Sequence, residues 1–321
     1  MNWYPIIQRV KQWLVSLGPR NPLVKLALSF YGRLKGYRIV YQGDLIKIAK
    51  NHQAALLRLD HFLFVPMVVP EFDHYFKTIA PDSVGNEAIL DFSKPGYHRY
   101  LHLGLELICP AIPEDDSMDA YLYKFKLAEG TTVFDLGANA GLTTCMFSLA
   151  VGATGKVYAF EPDDINRKCL VENVEELGLK NVTVLDWAIG DHTGEVAFHM
   201  DGTTAAGLAD LALYPETATT KSVKMFTLRD CCKELGCAPD FVKMDIEGAE
   251  IGVVQAACEF LKEVPVHFSI ESNHRMKDGT LTYHGLEKMF QSIGYEVLSS
   301  EKFGQMFTWA TPVVRESKGV S

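Results

Sequence analysis

The chain has 321 residues, with 31 Lys and Arg against 40 Asp and Glu and a formal net charge of −9. A chain of this length holds two domains or one enlarged one, and it buries about three quarters of its unfolded surface without a disulfide or a metal. The acidic balance argues against a generic nucleic-acid binder, which needs clustered Lys and Arg to neutralise phosphate, and the composition excludes collagen, coiled coil and bulk disorder.

Charge is unevenly placed. Residues 1–50 carry nine basic side chains and one acidic one, Asp44, so the remaining residues hold all of the acidic excess. Trp3, Ile6, Ile7, Val10, Trp13, Leu14 and Leu17 recur at helical spacing until Gly18-Pro19 stops them. Asn21-Pro22 then reads as a cap followed by proline at the first helical position, with Leu23, Leu26, Ala27, Phe30 and Leu34 continuing the stripe. Residues 1–40 are therefore expected to form a basic amphipathic helical arm. Such an arm either rests on an anionic membrane surface or packs on the body or on a second subunit of a homo-oligomer. Arg9 and Lys11 interrupt the first apolar stretch and no small-residue cleavage site follows, so no secretory leader is expected. No apolar run approaches the roughly 18 residues of a membrane span.

Residues 41–128 alternate short apolar runs with Pro and Gly breaks and read as an extension that handles substrate. Within it, His61–Val69 looks like a strand stopped by Pro66 and Pro70, and Met118–Leu127 looks like a helix after the acidic Glu114-Asp115-Asp116. The seven cysteines are scattered, and Cys231, Cys232 and Cys237, the sole cluster, lack the spacing of a zinc site. They are expected to be reduced thiols of a cytoplasmic protein.

From residue 129 to 321 the pattern becomes strand, helix, strand. Strands are expected at Thr132–Leu136, Lys156–Phe160, Val182–Asp186, Phe241–Asp245 and Val266–Glu271, with helices at Thr143–Val151, Asp164–Leu177 and Glu250–Leu261. This alternation predicts a doubly wound, mostly parallel α/β sheet. Two β-like runs, Glu195–Met200 and Ser222–Leu228, intrude, and a helix over Thr227–Gly236 follows them. A helix at Tyr283–Ile293 and a hairpin of Tyr295–Ser299 with Gln305–Thr311 close the chain, so the last strand should be reversed.

Motifs fall at the strand ends. Asp135-Leu136-Gly137-Ala138-Asn139-Ala140-Gly141 joins the first strand to its helix, where small residues let a ligand approach the backbone. Its G-x-x-x-G spacing departs from the G-x-G-x-x-G of a dinucleotide turn, which weakens the reading as a nicotinamide oxidoreductase. Glu161-Pro162 ends the second strand, where a carboxylate accepts both hydroxyls of a ribose. Asp186 and Trp187 end the third, beside the expected position of a base.

The glycine loop, the Phe160-Glu161-Pro162 strand end and the segment Lys243-Met244-Asp245-Ile246-Glu247-Gly248-Ala249-Glu250 together resemble the FkbM-type S-adenosylmethionine-dependent methyltransferases. The resemblance implies a seven-stranded, Rossmann-like methyltransferase sheet with a reversed last strand, and O-methylation of a hydroxyl on a natural product, sugar or glycolipid. It assigns the donor to Asp135, Gly137, Ala138, Asn139, Gly141, Glu161, Pro162, Asp186 and Trp187. Arg229 stands where the family often has an acidic residue, and residues 1–90 have no counterpart in it.

Methyl transfer to a hydroxyl aligns oxygen, carbon and sulfur and removes one proton. Asp245 at the fourth strand end, with Glu271 and His274 at the fifth, are the candidates for that step, His274 as the base and Glu271 orienting it. The same carboxylates suit Mg²⁺ or Mn²⁺, although no paired acidic dipeptide is present and a metal is the lesser expectation. Glu247 and Glu250 are expected to favour the N-terminus of the helix that follows. The third reading is a nucleoside-binding scaffold without turnover.

Overall fold

A computed structural model describes residues 13–14, 16–113, 117–200, 202–203, 207–208, 219–276 and 278–313. The chain divides into two compact units, residues 1–114 and 115–321. Most of the first expected helix, from Trp3 to Leu17, lies outside the described residues.

In the first unit, helix α1 (Pro22–Leu34) starts where the sequence places it. Asn21 caps it, its side chain accepting from the Leu23 N–H at 2.9 Å. Strands β1 (Arg38–Gln42), β2 (Leu45–Lys50) and β3 (Gln53–Arg58) follow as an antiparallel meander. The expected strand over His61–Val69 is absent. A 3₁₀ turn (Leu59–Phe64) runs instead into helix α2 (Val65–Thr78). Pro66 sits in the first turn, where backbone N–H groups have no partner to lose. Pro70 removes one later bond, and the Pro66 carbonyl left over accepts from the Tyr31 hydroxyl at 3.4 Å. Val65, Val68, Val69, Phe72 and Tyr75 are buried at helical spacing, and that burial outweighs the two prolines. Strands β4 (Asp82–Val84) and β5 (Glu87–Phe92) complete the five-stranded sheet β1-β2-β3-β5-β4, and β6 (Gly96–Tyr100) pairs with β7 (Leu105–Cys109).

The second unit opens with a single helical turn, α3 (Met118–Tyr121), rather than a helix to Leu127. The Trp309 Nε1–H donates to the Ala120 carbonyl at 2.7 Å, taking the acceptor that a continuing helix would need. The alternation then appears as expected: β8 (Thr132–Leu136), α4 (Leu142–Val151), β9 (Lys156–Phe160), α5 (Asp164–Glu176) and β10 (Val182–Leu185). A second sheet interrupts it, built from β11 (Ala188–Ile189), β12 (Gly194–Met200), β13 (Gly207–Leu208) and β14 (Thr219–Phe226) in the order β11-β14-β12-β13. Helix α6 (Leu228–Leu235) forms despite Arg229, because the Thr227 hydroxyl accepts from the Asp230 N–H and Gly236 ends it in the left-handed region.

The main sheet resumes with β15 (Phe241–Met244), α7 (Glu250–Glu263), β16 (His267–Glu271), α8 (Thr282–Ser292), β17 (Tyr295–Ser300) and β18 (Phe307–Pro312). Its seven strands run β10-β9-β8-β15-β16-β18-β17, all parallel except β18, which is antiparallel to both neighbours. Phe134, Val242, Met244, Phe268 and Ile270 from the middle strands are buried against Val253, Val254, Leu286 and Phe290 from α7 and α8. The central strands lie between helices and are apolar nearly throughout, as parallel strands buried on both faces must be. Their C-terminal ends open onto one edge, where loops rather than core determine the chemistry.

Candidate functional site

The glycine loop between β8 and α4 is held from behind. Asp135 is fully buried, and its Oδ2 accepts from the hydroxyls of Thr143 at 2.9 Å and Thr144 at 2.6 Å. Its Oδ1 lies 3.2 Å from the Lys243 ammonium, which donates to the Gly137 carbonyl at 2.5 Å. The ion pair has almost no solvent contact, so its attraction is unscreened and neither partner could be removed cheaply. Asp135, expected among the donor contacts, therefore shapes the loop and does not present its carboxylate to a ligand. Thr143, Thr144 and Lys243 were not assigned from the sequence. The signal for Lys243 was its position beside Asp135 on a neighbouring parallel strand, a register that sequence does not print.

Gly137 has φ 77°, and a Cβ there would overlap the carbonyl oxygen of Asp245, so this contact between loop and β15 end requires glycine. Gly141, at φ 92°, also takes the left-handed region, and a Cβ there would meet the end of the Leu170 side chain. The N–H groups of Gly137 and Ala138 both donate to the Phe160 carbonyl, and Asn139 follows in the left-handed region at φ 47°. The Asn139 N–H donates to Glu161 Oε2 at 2.7 Å, while Oε1 of the same carboxylate accepts from the Asp163 N–H at 2.9 Å. Burial pushes the Glu161 carboxyl up to about 7 despite these bonds.

Gly137, Glu161, Pro162, Trp187, Ile189 and Asp245 line a cleft that Phe198 of β12 and Leu208 of β13 narrow to about 40 Å³. Trp187 is half-buried and packs on Phe226 at 4.6 Å between ring centroids, with one side toward the cleft. Asp186 is exposed and does not line it. Phe198 and Leu208 were not expected there, because only the tertiary fold brings the intruding sheet over the strand ends.

On the other side of the sheet's midline, the ends of β15 and β16 bring Asp245, Glu247, Glu250, Glu271 and His274 together. His274 Nδ1 lies 3.0 Å from Glu250 Oε1, and Nε2 lies 3.6 Å from Asp245 Oδ1 and 3.8 Å from Glu247 Oε2. Burial alone would lower the His274 pKa, but Glu250, then Glu247 and Asp245, raise it well above the ordinary histidine value. Burial raises Glu250 less than His274 and the backbone donors lower it, so it stays ionised. Its Oε1 accepts from the N–H groups of Ile246 and Gly248, so it also closes the turn into α7, the helix-start role expected of it. Burial, aided by neighbouring carboxylates, pushes Glu247 and Glu271 each up to about 8.

The turn itself is strained. Glu247 takes φ 55° and Gly248 φ 101°, and a long side chain in the left-handed region persists only where the surroundings enforce it. The loop after β16 is anchored by Ser272, whose N–H donates to the Met306 carbonyl at 2.8 Å, and by the His274 carbonyl, which accepts from the Thr282 N–H. Asn273 Nδ2 donates to Glu271 Oε1 at 3.0 Å. Ligand atoms of Asp245, Glu271 and His274 all lie within 4.8 Å of one another and could hold a divalent cation. Beside this cluster, Glu247, Ile251, Arg275, Leu281, His284 and Lys288 border an open cleft of about 670 Å³.

Comparison with known proteins follows the same boundaries. The methyltransferase FkbM domain matches residues 135–297, from the loop aspartate to the strand after α8 and just over half of the chain. The chain belongs to the FkbM methyltransferase family. Among curated relatives, a protein-L-isoaspartate O-methyltransferase of Methanosarcina mazei is 40% identical over 60 residues, covering 19% of this chain and 25% of that protein. A probable cobalt-precorrin-6B C(15)-methyltransferase of Sulfurisphaera tokodaii is 35% identical over 65 residues, 20% of this chain and 34% of its own length. This FkbM-family chain thus spans a quarter to a third of the curated relatives it matches. Among solved structures, the FkbM methyltransferase of Methylobacillus flagellatus aligns with a TM-score of 0.47 at 19% identity, over 61% of this chain and 48% of that one.

Proposed function

We propose that this FkbM-family protein is an S-adenosylmethionine-dependent O-methyltransferase acting on a hydroxyl of a sugar, glycolipid or natural product. One observation carries the reading: two chemically different sites meet at the ends of adjacent strands. One is a glycine-loop cleft with a buried carboxylate, Glu161, and an aromatic wall, and the other is the Asp245–His274 cluster. Asp245 borders both.

The residues present suit the donor. Glu161 keeps acceptor capacity for ribose hydroxyls, Trp187 and Ile189 offer apolar cover for a base, and an acidic cleft favours a sulfonium cation. When bound, S-adenosylmethionine supplies an electrophilic methyl group. Phe198 and Leu208 must part to admit it, since the cleft is narrower than a nucleoside. On the acceptor side, His274 is held by Glu250 at Nδ1 while Nε2 faces the Asp245 carboxylate. With His274 deprotonated, the Asp245–His274 pair would take the proton of the acceptor hydroxyl while the methyl group leaves the donor's sulfur, which would become a neutral thioether. Glu271, at the neighbouring strand end, is pushed up to about 8 by burial and by the Asp245 charge, so near neutral pH it carries a proton of its own within the cluster. The open cleft with Arg275, His284 and Lys288 among apolar Ile251 and Leu281 suits an acceptor with both polar and apolar parts.

The test is transfer of a labelled methyl group from S-adenosylmethionine to sugar, glycolipid and natural-product extracts, followed by identification of the product. A base-labile methyl ester in place of a methyl ether would overturn the O-methylation of a hydroxyl. Tight NADH binding with no response to S-adenosylhomocysteine in calorimetry would overturn the donor.

A further inference from the structure

Helix α1 is apolar on two opposite faces, one buried and one exposed. Its inward face is made by Val24, Leu28 and Gly32, all buried, and the helix approaches so closely that a Cβ on Gly32 would sit 2.7 Å from the Ile39 side chain. The Tyr41 hydroxyl donates to the Lys25 carbonyl, fixing this face against β1. The opposite face carries Leu23, Leu26, Phe30 and Leu34, which are 56%, 67%, 62% and 69% exposed. A surface helix ordinarily turns charged residues outward. Here four large apolar side chains form one continuous outward stripe, and Trp13, 51% exposed, precedes them. A contiguous apolar patch of this kind marks an interaction surface.

Charge identifies the occupant. Arg33 and Lys35 are exposed at the end of the helix and Lys25 lies beside it, whereas Arg20, before it, is paired with Asp44 at 2.6 Å, and the sequence contains no Asp or Glu before Asp44. Two such faces brought together would oppose like charges, which argues against a second copy. The geometry points to α1 as a monotopic anchor that lies flat on an anionic lipid surface, its apolar stripe among the acyl chains and its basic residues at the headgroups. Among the described residues no helix is long and apolar enough to cross a membrane, so the contact is peripheral.

Flotation of the full chain with vesicles of phosphatidylglycerol mixed with phosphatidylcholine should recover it in the lipid fraction, and added salt should weaken recovery. Vesicles of phosphatidylcholine alone should retain much less. The pair Leu26→Glu and Phe30→Glu, at exposed positions, should lower partitioning at least about tenfold while leaving the thermal melting curve in place. Arg33→Gln with Lys35→Gln should weaken binding only to the anionic vesicles. Absence of flotation with anionic vesicles, or equal recovery of the Glu variant, would overturn the proposal. So would a chain that ignores vesicles but changes from dimer to monomer in the Glu variant, since the face would then join two copies.

Discussion

On the β8–β9 side of the crevice, each carboxylate has a dedicated set of donors: Asp135 has two threonine hydroxyls and Lys243, and Glu161 has two backbone N–H groups. On the β15–β16 side, Asp245, Glu247, Glu250 and Glu271 crowd around one cation, His274, and Glu247 and Glu271 are each pushed up to about 8. In the first arrangement each carboxylate is fixed by its own partners, which suits it to holding a ligand of fixed shape. In the second, like charges compete for too few protons, the condition under which groups exchange them near neutral pH. On the proposed reading, the difference assigns binding and proton transfer to neighbouring strand ends of one sheet.

The largest way to break that contrast is to damage the β8–β9 side. Lys243→Met leaves Asp135 buried and unpaired and should cost about 3–5 kcal/mol of folding stability, read by denaturant unfolding. Adding Asp135→Asn should recover part of the loss. An additive double variant would mean the two residues act independently.

Next, His274→Ala should lower turnover by roughly 10²–10⁴ with S-adenosylhomocysteine affinity near wild type. If the triad of Asp245, Glu271 and His274 works through a cation instead, EDTA should abolish turnover and Mg²⁺ or Mn²⁺ restore it. Loss of donor affinity together with turnover would place His274 in the donor cleft and erase the division.

Glu161→Ala should weaken donor binding by at least about tenfold, on the order of 1.4 kcal/mol, in calorimetry. In the wild-type protein, binding should also weaken as pH falls through about 7, because Glu161 then protonates and loses acceptor capacity. A flat pH profile would remove Glu161 from the ribose.

The finest test uses Glu250→Gln, which keeps an acceptor for Ile246 and Gly248 but removes the charge. His274 is a base only when deprotonated, so wild-type turnover should rise with pH through a limb above the ordinary histidine range. In the variant that limb should move down toward it, as the largest charge raising the His274 pKa is gone. An unmoved limb would assign the proton to another group.

The order of the main-sheet strands and their helices from Thr132 to Pro312 was legible in the sequence, because parallel strands buried on both faces are continuous apolar runs that alternate with helical stretches. Helix α2 was not legible. Prolines at 66 and 70 signal a break locally, whereas the burial of Phe72 and Tyr75 that overrides them is a tertiary quantity. Likewise, the stripe Leu23, Leu26, Phe30 and Leu34 announced an amphipathic helix, but its period does not say which face turns inward.

The same division holds at the site. Composition, loop spacing and strand-end motifs by themselves determined the α/β class, the glycine loop and the acidic residues that end β9, β15 and β16, since these depend on neighbours along the chain. Only the tertiary structure decided that Asp135 turns away from the cleft to meet Lys243, that Phe198 and Leu208 close over Glu161, and that Glu250 folds back to His274. Each depends on strand register or on a loop crossing the sheet, and a side chain's charge state and direction follow from partners many residues away.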